Sequence, residues 1–414
     1  MQSLPVEIKA AIAEEVRTGK NGTTHLAALR LASRDLAHTT APTLLRALAL
    51  SQVKGTSAGI IQFLKKLSGR APFVKKIKFD VGSSVHRGTP VPKADTLNDS
   101  VSIFSRLNSF SGLEELRVSF PFDKTVYSVE QSPNKDDGSV DDDPASKQSE
   151  AQKLQIKIFM ALAGLSSVPT SLHTFEIYGL FTKPNEGLRM QGIKSFLGGI
   201  KHLYITTVSN AGMFRDVLST SKAYKDFWSK DIVALLTAPI DLYSFALGSD
   251  FPAGIVGLDC TAWGSIHWPH LRTLLLRGII FNETYKDSSR TIKNNPLAIT
   301  GVESFILLHR TSLSWLELHD CFLNISIPEV PKARMWADVF RGFEKSLINL
   351  KRFVISPEPL YPYPAGGDNK GEGYVHPRGE FGYDKTFTRR QAPPPNDAYL
   401  DDLALEGLKC LAML

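Results

Sequence analysis

Leu313-Ser314-Trp315-Leu316-Glu317-Leu318-His319-Asp320-Cys321-Phe322-Leu323 is the stretch from which the fold can be read. Leu313, Leu316 and Leu318 stand three and then two places apart. A step of two is the period of a strand with one face buried, so Trp315 and Glu317 belong to the opposite face. With other apolar residues allowed, the same spacing recurs at Val74-Ile77-Phe79, Leu113-Leu116-Val118, Leu172-Phe175-Ile177, Ile200-Leu203-Ile205, Leu242-Phe245-Leu247, Leu271-Leu274-Leu276 and Leu350-Phe353-Ile355. Successive starts lie 39, 59, 28, 42, 29, 42 and 37 residues apart, which leaves room for a helix and loops after each strand. Apolar residues at three- and four-residue steps predict helices over 58–67, 101–110, 151–163, 222–236 and 335–347.

The 313–323 segment fits Leu-x-x-Leu-x-Leu-x-x-Cys-x-Leu at every position, and the set of eight resembles leucine-rich repeats of the long, irregular sort. One such strand cannot bury its apolar face alone. The resemblance therefore implies an α/β chain in which stacked repeats over 51–356 build an irregular leucine-rich-repeat-like solenoid with a curved parallel sheet. A conventional α/β sheet and two packed domains are the alternative arrangements of the same elements. The longest interval has a visible cause: 130–150 carries seven acidic and two basic residues with almost nothing apolar, and reads as an acidic disordered insertion. Residues 357–398 hold eight of the 24 prolines together with six aromatics, a density that argues against regular structure and for a loop folding back over the repeats. Leu405, Leu408 and Leu411 predict a terminal helix over 399–414.

Upstream of the repeats, residues 1–50 read as three short helices. Pro5 opens the first, with Ile8, Ile12 and Val16 at four-residue steps; Gly19 and Asn21-Gly22 end it. Thr23 or Thr24 caps a second helix carrying Leu26, Leu29 and Leu36, and Pro42 opens a third with Leu44, Leu45 and Leu48. So small a core is marginal by itself and must hide its remaining apolar face on something else. Leu4, Pro5, Glu7, Ile8, Leu29, Arg30, Leu31, Ser33, Arg34 and Pro42 follow the order and spacing of the F-box-like domains common in fungal proteins. What this resemblance implies is an F-box-like module that docks through Leu4, Pro5, Ile8, Ile12, Leu29 and Leu31 to the Skp-type adaptor of a cullin-based SCF ubiquitin ligase. The remainder of the chain would then select an unknown protein substrate. A repeat-built interaction scaffold without a ligase role, in which these helices are a plain cap, is the alternative.

Composition points away from several other classes. The 414 residues are 43% hydrophobic and 22% charged, enough for a substantial core. The net charge of +6 is spread over isolated or paired basic residues, so no nucleic-acid partner is expected. Three distant cysteines fit free thiols in a reducing compartment, and no apolar run approaches membrane length; cytoplasm or nucleus is the expected location.

Catalytic constellations are hard to find in the chain. His267-Trp268-Pro269-His270 offers two histidines at a metal-like separation, but Pro269 interrupts any helix and no other ligand lies nearby, so no metal or cofactor is expected. His319-Asp320-Cys321 brings a base and a thiol side by side, yet neighbours on an extended segment face opposite ways, and Cys321 occupies the buried place of its repeat. What remains is the strand face that alternates with the leucines. On it Arg117, Tyr204, Arg277, Trp315 and Glu317 are the candidate contacts for a protein substrate.

Overall fold

The computed structural model describes residues 5–18, 21, 24–26, 28, 40, 43, 45–51, 71–80, 101–120, 150–208, 222–249, 263, 266–281, 301–324, 335–356, 374–375, 382–384 and 395–412. Its strands are β1 (Ala47–Ser51), β2 (Lys76–Asp80), β3 (Glu115–Ser119), β4 (Thr174–Phe181), β5 (His202–Val208), β6 (Ser244–Ser249), β7 (Thr273–Arg277), β8 (Ile280–Phe281), β9 (Trp315–His319), β10 (Phe322–Asn324), β11 (Arg352–Ser356), β12 (Tyr374–Val375) and β13 (Gly382–Asp384). Nine of them make an open, all-parallel sheet in the order β1-β2-β3-β4-β5-β6-β7-β9-β11. In all eight sequence recurrences the last two apolar residues lie on a strand of this sheet and the first stands two places before it. A second sheet of four short strands runs β12-β13-β10-β8.

The chain divides into two compact units, Met1–Val126 with Gln131–Tyr178, and Tyr127–Glu130 with Gly179–Leu414. In the first, Leu48, Ile77, Leu116 and Phe175 stand opposite one another on successive strands, and Leu50, Phe79, Val118 and Ile177 form the next rung. In the second, the rungs are Leu203-Phe245-Leu274-Leu316-Phe353 and Ile205-Leu247-Leu276-Leu318-Ile355. Every one of these side chains is buried, at about 1.5–3 kcal/mol for each fully buried one. Aromatic residues from the connections cover them: Phe104 meets Phe79 edge-on at 5.1 Å in the first unit, and Trp268 and Phe305 meet Phe245 in the second.

Three strands share a backbone feature, at which β7 and β9 end while β4 continues to Phe181. Two residues beyond Ile177, Leu276 and Leu318 the backbone turns left-handed, at Gly179 (φ 74°), Gly278 (φ 62°) and Asp320 (φ 47°). At Gly278 even a methyl would meet the Ser249 carbonyl oxygen at 2.5 Å, so glycine is required twice over. After the Gly278 and Asp320 turns the chain enters the second sheet, where β8 and β10 pair in parallel.

Several expectations need correction. Leu48 lies on β1, not on a third helix: Thr40, Thr43 and Leu45 are helical, but Ala47 to Ser51 pairs with β2, because Leu48 and Leu50 alternate with Ala47 and Ala49 at strand period. The first helix, Val6–Thr18, buries Lys9 and Ala13, one place off the Ile8-Ile12-Val16 stripe. Helical residues after Val101 give way to a short 3-10 turn, Leu107–Ser109. The 357–398 region is not without regular structure, since it contributes β12 and β13, and β13 pairs with β10. The terminal helix starts at Pro395 rather than 399, as proline suits a first helical turn. The helices expected over 151–163, 222–236 and 335–347 are present as Glu150–Ala163, Lys222–Asp226 continued through a π-helical Phe227–Ile232 into Val233–Leu236, and Trp336–Ser346. The helix expected over 58–67 and the acidic stretch up to 149 lie outside the described residues.

Candidate protein-binding face

The face opposite the buried rungs differs between the units. In the first, Lys76 and Glu115 sit side by side across β2 and β3 and form an ion pair. Arg117 on β3 reaches Glu176 on β4 at 3.8 Å and lies 4.0 Å above the Tyr178 ring. Just before these strands Lys75 pairs with Glu114 at 2.9 Å, and the ammonium's hydrogen bond holds the Glu114 carboxyl below its ordinary range.

The second unit builds its face around Trp315. Its indole N–H donates to Glu317 Oε1 at 2.7 Å, and the Arg352 guanidinium lies 4.1 Å over its ring. The other Glu317 oxygen meets His319 Nε2 at 2.9 Å. Trp315 and Glu317 are thereby brought together as expected, while Tyr204 stands on β5, half-buried, apart from that network. Arg277 departs from the expectation. It is only 9% exposed and pairs with Asp320 at 3.3 Å, because the left-handed turn folds the Asp320 carboxylate back beside it. Burial keeps that carboxyl above its ordinary range despite the guanidinium.

Of the residues expected to contact an adaptor, Pro5 and Ile8 are exposed and Ile12 is half-buried. Leu4, Leu29 and Leu31 lie outside the described residues. Val6, which the spacing did not single out, is 60% exposed, more than Ile8 at 48%.

The reactive candidates fare differently. Cys321 is buried, its thiol donating to the carbonyls of His319 and Leu276, and burial pushes its pKa up to about 12. A thiol so far from ionisation is no nucleophile near neutrality. His267 stacks on His309 and His270 on Tyr243, so the two histidines of the His-Trp-Pro-His run serve separate clusters. Among the described residues no group of three His, Cys, Asp or Glu side chains is placed to hold a metal ion, and no helix is long and apolar enough to cross a membrane.

Two buried polar sites escaped the sequence reading. His309 is fully buried, with Nε2 accepting the Trp268 backbone N–H at 2.9 Å and Nδ1 donating to the Phe305 carbonyl at 2.8 Å. Both ring nitrogens are committed in the neutral form. Burial holds its pKa down at about 4, with His267 acting in the same direction and the Phe305 hydrogen bond against it. Asp231, also fully buried, accepts the Asn185 N–H at 2.9 Å and pairs with Arg189, tying the turn Glu186–Arg189 to the π-helical segment. Its one sequence signal was a carboxylate immediately before the apolar run 232–236. No protein-family model matches the chain, and no curated protein matches its sequence.

Proposed function

We propose that this protein is an F-box-like substrate receptor with leucine-rich-repeat-like architecture, which binds a Skp-type adaptor through its first helix and a protein target through the sheet face. The observation that carries the reading is the outward display of Pro5, Val6 and Ile8 on a helix that buries Lys9 and Ala13. Exposed apolar residues grouped at the start of a helix offer a surface for a partner to cover. The sheet supports the second half. All-parallel sheets are ordinarily apolar on both faces because helices cover both, whereas these strands alternate apolar and polar, as expected where repeats stack with helices on one side only. In such a receptor no residue of this chain performs the transfer chemistry. Its contribution is proximity and orientation.

Co-purification with a Skp-type adaptor tests the reading. Full-length protein is expected to capture the adaptor and a Val6→Asp, Ile8→Asp variant to lose it, with circular dichroism unchanged because both side chains are exposed. Equal recovery by the two proteins overturns the receptor role.

A specific contact favours a second reading, the repeat scaffold without a ligase role. Arg46 pairs with Glu14 of the first helix at 3.6 Å, and the Arg46 carbonyl accepts the backbone N–H groups of Lys75 and Lys76. The helix is thus tied to the start of the sheet as a cap would be. On that reading, deleting residues 1–45 destabilises the first unit, and the wild-type protein captures no adaptor.

A further inference from the structure

Lys201, Tyr243, Arg272, Ser314 and Lys351 each stand one place before a strand of the second unit, on β5, β6, β7, β9 and β11 in turn. Backbone hydrogen bonds link them into one row: Tyr243 N–H to the Lys201 carbonyl at 2.8 Å, Arg272 to Tyr243 at 2.9 Å, Ser314 to Arg272 at 2.9 Å and Lys351 to Ser314 at 2.8 Å. The three cations are exposed and fall on every second strand. Strands lie about 4.8 Å apart, so the cations repeat at about 9.6 Å along the rim.

Aromatic rings, not carboxylates, are their neighbours. Lys201 and Arg272 both lie over the Tyr243 ring, at 5.6 and 5.7 Å, and Arg352 beside Lys351 lies over Trp315. Among the described residues none of these four cations forms an ion pair. Of the nearby acids, Glu317 is engaged with Trp315 and His319, and Asp241 faces His270 at 3.8 Å. Four exposed positive charges aligned on one rim attract an anion, and the rings hold them in place without neutralising them.

We propose that this rim binds an extended acidic peptide of a partner protein, with a carboxylate at every third residue. A polyproline-type peptide has three residues per turn and about 3.1 Å rise per residue, so its i and i+3 side chains share a face about 9.3 Å apart, close to the spacing of Lys201, Arg272 and Lys351. Nucleic acid fits less well. Sequence-tolerant strand binding stacks bases on free aromatic faces, but Tyr243 is already stacked on His270 and flanked by two cations, and Trp315 is covered by Arg352. The assignment names the target class of the receptor reading and rests on that reading for its biological sense.

Fluorescence anisotropy of full-length protein with a fluorescein-labelled peptide of repeating Glu-Pro-Pro is the test. Binding is expected to be saturable and salt-sensitive, and to weaken about tenfold or more in a Lys201→Glu, Arg272→Glu variant. It stays unchanged in Lys194→Glu, an exposed charge reversal on the helix Gln191–Leu197. A peptide of the same composition with its glutamates contiguous binds several-fold more weakly. No binding, equal loss in both variants, or equal affinity for the two peptides overturns the proposal. Tighter binding of a labelled single-stranded oligonucleotide with the same variant dependence also overturns it and assigns the rim to nucleic acid. Adaptor capture is read separately: protein that binds the peptide yet captures no adaptor keeps the rim site and sinks only the receptor role.

Discussion

Lys76 in the first unit and Arg352 in the second hold the same place in their repeats, immediately before the middle apolar residue of the strand. Lys76 finds Glu115 on the next strand, while Arg352 finds the ring of Trp315. The backbone and the buried rungs are alike in the two units. What differs is the residue that the register sets opposite, and with it whether a surface cation is neutralised or left available. A carboxylate cancels charge; an aromatic ring orients a cation and leaves its field intact. Parallel stacking thus supplies a common frame, and one residue per strand decides what each stretch of the face can attract.

The largest expected effects test whether the frame is common. Leu116→Ala in the first unit and Leu316→Ala in the second each remove a fully buried rung, at about 2–5 kcal/mol. Hydrogen exchange read strand by strand is expected to show a similar loss in each unit. A change under about 1 kcal/mol in either would mean that its rung does not sustain its fold, and the comparison of faces would lose its basis.

Acid is expected to separate the units. His309 titrates at about 4 in the folded chain against an ordinary 6.5, so between those values the unfolded chain binds a proton that the folded one refuses. Its contribution is therefore full above pH 6.5 and is lost as pH falls to about 4, at a total of about 3 kcal/mol. The loss should appear in the second unit. His309→Gln, whose amide can still donate to the Phe305 carbonyl and accept from Trp268, flattens the pH dependence while keeping the neutral hydrogen bonds. An unchanged pH profile in that variant would remove His309 as its cause.

The sheet was legible in the sequence because its signal is local. Ile77-x-Phe79 or Leu316-x-Leu318 carries strand period within a few residues, and each such segment forms a strand of the same sheet. Leu48 and Leu50 carry that period too, but Pro42, Leu44 and Leu45 before them suggest a helix, and only pairing with β2 settles the competition. β12 and β13 were hidden for the same reason. Two- and three-residue strands amid proline and glycine have no period to read, and they exist through the partner that β10 provides. On the candidate face, Trp315 and Glu317 were legible as outward residues of a strand. The burial of Arg277 was not, because it depends on a left-handed Asp320, a conformation that sequence announces when the residue is glycine and conceals when it is aspartate.

That turn supplies the next test. Gly278→Ala puts a methyl 2.5 Å from the Ser249 carbonyl oxygen at a positive φ, and is expected to cost about 2 kcal/mol or more in thermal unfolding. Asp320→Gly, at the matching place on β9, relieves the backbone but releases Arg277, so its net change should stay within about 1 kcal/mol. If the two substitutions cost the same, the turns are not equivalent and the repeat correspondence between β7 and β9 fails.

The smallest stability effect bears most directly on the contrast between the faces. Glu115→Gln breaks a partly exposed ion pair and should cost at most about 1 kcal/mol, less at high salt. Its effect on binding is expected to be larger, since it leaves Lys76 without its carboxylate, much as Arg352 stands without one. A first unit carrying Glu114→Gln and Glu115→Gln presents Lys75 and Lys76 as free cations just before and at the first place of β2, and should acquire salt-sensitive affinity for the repeating Glu-Pro-Pro peptide even when Lys201 and Arg272 are reversed. If that affinity does not appear, pairing with carboxylates is not what silences the first face. The selectivity of the second would then lie in the aromatic placement of its cations by Tyr243 and Trp315, a property that Tyr243→Leu would abolish while leaving every charge in place.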